Sequence, residues 1–78
     1  MCRSITALRG LEPPASDDEV TDAARQYVKK VGSLTSAAQL SWPGVERAVA
    51  EVAAATRRML DDLPERKRPP ATVPPTRR

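Results

Sequence analysis

Residues 16–32, SDDEVTDAARQYVKKVG, decide the fold. Ser16 is a good helix N-cap, and Glu19 stands three positions later, where a capping box needs it. Asp17 and Asp18 add negative charge beside the unpaired N–H groups of a first turn. The apolar positions then run Val20, Ala23, Ala24, Tyr27, Val28 and Val31, the spacing of one helix face. Lys29 and Lys30 suit the carboxyl end, and Gly32 is expected to take the left-handed conformation past the last turn. This reading predicts a helix over 17–31, with Tyr27 in the core stripe.

Working toward the carboxyl end, GSLTSAAQLSW (32–42) reads as a connection with a short helical turn at 37–40, capped by Thr35 or Ser36. Leu34, Leu40 and Trp42 are expected to fold inward; an exposed Trp42 would instead mark an interaction site. Pro43 fits the first turn of the next helix, where no N–H is needed. Val45, Ala48, Val49, Val52, Thr56, Met59, Leu60 and Leu63 then keep helical spacing until Pro64 stops it. Two helices joined this way imply an all-α antiparallel two-helix hairpin over 16–63. In that register Arg57 and Arg58 face the acidic start of the first helix.

Upstream, MCRSITALRGLEPPA (1–15) has no helical length. Ile5, Leu8 and Leu11 recur every third residue, and the proline pair at 13–14 stops any turn. It reads as an irregular arm laid over the hairpin. Arg3 and Arg9 are expected to pair with Glu12 or with the acidic helix start. Downstream, PERKRPPATVPPTRR (64–78) holds five of the eight prolines and no aromatic residue, the composition of a disordered tail.

Charge follows the same division. Residues 1–63 carry eight Lys/Arg and nine Asp/Glu, whereas 64–78 carry five and one, so the net +3 resides in the tail. Arg66, Lys67 and Arg68 could attract nucleic acid weakly and with strong salt dependence, without aromatic residues to stack on bases. No apolar run is long enough to span a bilayer and no secretory signal is apparent, so the expected location is cytoplasmic.

There is no histidine and one cysteine, which excludes an internal disulfide and a four-ligand zinc site. Cys2 is the one candidate for catalysis or metal binding. Loss of Met1 would put an amine and a thiol on the same residue, with Arg3 favouring the thiolate. No cofactor is implied. A chain of this size and low aromatic content makes a marginal core. The expectation is a small helical interaction or accessory protein that meets a protein partner or a second copy. Cys2, Arg3, Trp42, Arg66, Lys67 and Arg68 are the candidate contact residues. A nucleic-acid-associated role through the tail and an enzyme or metal-binding role through Cys2 are the alternatives.

The start MCRSITALRG, the segment LEPPASDDEVTDAARQYVKKV and the helix VERAVAEVAAATRRMLDDL together resemble a small bacterial family known as domain of unknown function 2277. The family usually has Asn at the place of Ser4, a basic connection where this chain has GSLTSAAQLSWPG, and Phe at the place of Val45. The resemblance implies the helical hairpin and places Cys2 and Arg3 in the family signature. It implies no reaction.

Overall fold

The computed structural model describes residues 5–74 and 77. Three helices follow in order: α1 (Asp17–Gly32), α2 (Ala37–Leu40) and α3 (Pro43–Asp62). The two long helices pack as an antiparallel hairpin, and α2 lies in the connection.

Each boundary has a local cause. At the start of α1 the Glu19 N–H donates to Ser16 Oγ at 3.1 Å, and the Ser16 N–H donates to Glu19 Oε1 at 2.9 Å. This reciprocal pair satisfies two backbone donors that a helix start leaves open. The other end differs from expectation by one position. Gly32 is the last helical residue, and Ser33 takes the left-handed conformation (φ 54°, ψ 46°). The Ser33 N–H donates to the Lys30 carbonyl at 3.3 Å and the Leu34 N–H to the Lys29 carbonyl at 3.0 Å. This is a Schellman closure built on serine.

The turn at 37–40 is a short helix with Ser36 as its cap. Gln39 closes it by accepting from the Ser36 and Thr35 N–H groups at 3.1 and 2.7 Å. Trp42 is the N-cap of α3 through its backbone, with Pro43 in the first turn, and Leu63 just before Pro64 ends the helix.

Leu11 of the arm, Val20 and Ala24 of α1 and Val49 of α3 form the buried core. Val45, Val52, Thr56 and Leu60 are half-buried along the same side of α3. The arm therefore reaches the core through Leu11, while Leu8 is half-buried and Ile5 is exposed.

The inward expectation has to be corrected at five large side chains. Tyr27 is 49% exposed, Val31 70%, Trp42 53%, Met59 51% and Leu63 38%. Helical spacing gives the direction of a side chain from its own axis, but burial also needs a neighbour in that direction. The arm and α3 cover Val20 and Ala24 and leave the last two turns of α1 open.

Candidate functional site

The densest group of polar interactions surrounds the start of α1, where the arm, α3 and the tail converge. The antiparallel register brings Arg57 of α3 here. Its Nη2 donates to the Ala15 carbonyl at 2.9 Å and lies 3.1 Å from Asp17 Oδ1. Its Nη1 lies 3.7 Å from Asp61, one turn on. Its Nε is buried without a hydrogen-bond partner. The expected pairing of the α3 end with the acidic helix start is therefore present through Arg57.

Arg77 supplies the second guanidinium. Its Nε pairs with Glu19 Oε2, and its Nη2 donates to Glu19 Oε1 at 2.9 Å and to the Pro13 carbonyl at 2.8 Å. The Glu19 side chain is only 10% exposed beneath it. The hydrogen bonds from Arg77, with the Ser16 N–H next in importance, lower the Glu19 pKa to about 2. The same pairing raises that of Arg77. Glu19 thus closes the capping box and receives the tail with one carboxylate.

The arm is fastened from the opposite side. The Arg9 Nε donates to the Pro64 carbonyl at 2.9 Å, a correction to its expected pairing with Glu12 or the helix start. The arm then turns at Gly10, whose φ is +93°. A side chain there would bring a Cβ within 3.1 Å of the Arg66 Cδ and 3.2 Å of its Cβ. A cleft of about 260 Å³ remains between this turn and the end of α3, with Leu8, Leu60, Arg57 and Arg66 in its wall.

The residues singled out from the sequence are not gathered in one place. Cys2 and Arg3 lie outside the described residues. Trp42 stands at the connection end of the hairpin. Arg66 lies against Gly10 at the opposite end, with Lys67 and Arg68 exposed beside it in sequence. The groups that the sequence reading missed are Glu19 as the seat for the tail and Arg77 as its occupant. The capping box drew attention to Glu19 only as a local partner.

Chemically, the helix start holds guanidinium groups through carboxylates and backbone carbonyls. Among the described residues no group of three or more His, Cys, Asp or Glu could hold a metal ion. No helix among them is long and apolar enough to cross a membrane. Comparison with curated proteins and with solved structures gives no match. The family whose profile matches residues 1–78 is described as "Uncharacterized conserved protein (DUF2277)", and the chain belongs to it.

Proposed function

We propose that the protein is a small helical interaction module that docks on a protein partner through the connection end of its hairpin. One observation carries this reading. The chain has two aromatic residues, Tyr27 and Trp42, and both are about half exposed while the core is built from Leu, Val and Ala. Aromatic side chains combine large apolar area with low conformational cost, and they dominate binding at protein interfaces.

Helix geometry adds a surface around them. One flank of the hairpin carries Thr21 and Arg25 of α1 beside Leu40 of α2 and Val45, Glu46 and Ala50 of α3, around a cleft of mixed lining. The other flank, by helical spacing, carries Ala23 and Tyr27 of α1 and Ala48, Val52 and Met59 of α3. Val31 lies one turn beyond Tyr27 and is the most exposed large apolar residue among the described residues. Ala23 and Ala48 leave room between the larger side chains of this flank for the close approach of another helix.

A photo-crosslinking amino acid at position 42, with position 50 on the first flank as control, tests the reading in cells. A discrete adduct from position 42 with none from position 50 is expected. Equal labelling from both positions, or none from 42, would refute it. Light scattering over a dilution series then shows whether a second copy is the partner.

A further inference from the structure

The tail docks as a ligand would. Pro74 is buried, and the Arg77 N–H folds back to the Pro74 carbonyl at 2.9 Å, so the two residues present themselves as one turn. The guanidinium enters a seat made of the Glu19 carboxylate and the Pro13 and Pro14 carbonyls, with Nη2 to oxygen distances of 2.9, 2.8 and 3.3 Å. Proline has no N–H, so the Pro13 and Pro14 backbones present only acceptors, which suits a guanidinium that only donates. Between Pro64 and Pro74 the chain has no helix or strand and is exposed over residues 64–69 and 71–73. The docked turn is therefore joined to the hairpin by an irregular segment. Nothing in the geometry of the seat requires that the entering arginine come from the same chain.

We propose that the start of α1 is a binding site for a Pro-x-x-Arg segment, filled by the chain's own Pro74 and Arg77 and open to the same segment of a second copy. Binding in cis has the advantage of the tether, which acts as a high local concentration of ligand. The free segment therefore binds well only when the resident arginine is removed, and exchange of tails between copies links two hairpins. This surface is separate from the connection end that carries Tyr27 and Trp42 and stands or falls independently of it.

The test uses the full chain carrying Arg77→Ala and a synthetic peptide of residues 69–78, followed by amide chemical shifts of residues 15–22. Saturable shifts centred on Ser16 to Val20 are expected for the variant. The unaltered chain should need about tenfold more peptide, because its own tail competes. A peptide with the same Arg77→Ala change should give none, and neither should a chain that also carries Glu19→Gln. A folded Arg77→Ala chain without saturable shifts overturns the proposal, as do equal shifts from the altered peptide. Should the variant not fold, the unaltered chain is mixed with millimolar spin-labelled peptide. Broadening of the Ser16 to Val20 amides supports exchange, and unchanged intensities overturn it.

Discussion

Replacing Arg57 by Met isolates what this guanidinium does, because the thioether side chain keeps most of the aliphatic stem. Three interactions disappear. The hydrogen bond to the Ala15 carbonyl, at 2.9 Å and part-buried, is worth about 1.5–3 kcal/mol as a charged–neutral bond. The pair with Asp17 is short at 3.1 Å, but Asp17 is 93% exposed, so it adds only a few tenths of a kcal/mol, roughly 0.2–0.5. The 3.7 Å pair with Asp61 adds about as little. Against these losses, Met removes a buried Nε that lacks a partner, which returns about 1 kcal/mol. The net destabilisation is about 1–3 kcal/mol, a fall in Tm of roughly 4–24 °C for a chain of this size. Arg58→Met, at the exposed neighbour, should change Tm by no more than about 2 °C. Asp17→Asn should cost under about 0.5 kcal/mol and so separate the carbonyl contact from the ion pair. Thermal unfolding followed by circular dichroism reads all three variants. A neutral Arg57→Met, or equal effects at 57 and 58, would refute the assignment of Arg57 as the fastener between α3 and the arm.

Two backbone substitutions should act with opposite sign in the same assay. Gly10→Ala meets both a positive φ and the Arg66 side chain, and should cost at least about 1 kcal/mol. Ser33→Gly relieves a left-handed non-glycine residue, and should stabilise by up to about 1 kcal/mol. The pairing of Glu19 has a pH signature. Its carboxyl is lowered to about 2 from an ordinary 4.5, so its contribution to stability is complete above about pH 4.5 and is lost as pH falls toward 2. NMR titration of the Glu19 side chain should give a midpoint near 2 that moves back toward 4.5 in Arg77→Ala; an unchanged midpoint would show that Arg77 does not hold it.

The helices were legible because their causes are local. Ser16 with Glu19, Ser36 with Gln39 and Pro43 at a helix start each act within four positions, and the apolar spacing of α1 and α3 carries the antiparallel pairing. Arg57 near Asp17 follows from that register. Burial at Tyr27 and Val31 was not legible, because the stripe continues in sequence past the point where the arm stops covering it. The role of Trp42 divides in the same way. Its backbone position before Pro43 could be read, but its exposure depends on what the connection packs against. The docking of Arg77 had no signal at all. It joins positions 58 apart, and the composition of the intervening tail indicates only absence of regular structure.

The span of that last contact has a consequence for the order in which the molecule assembles. A tie across 58 positions closes about three quarters of the chain into a ring, and its acceptors are gathered only once the first turn of α1 is in place. Ring closure over so long a span is therefore expected to follow formation of the helices, and its opening to precede their loss. The helices can form with the tail free, because their caps and their mutual packing involve no residue of the tail.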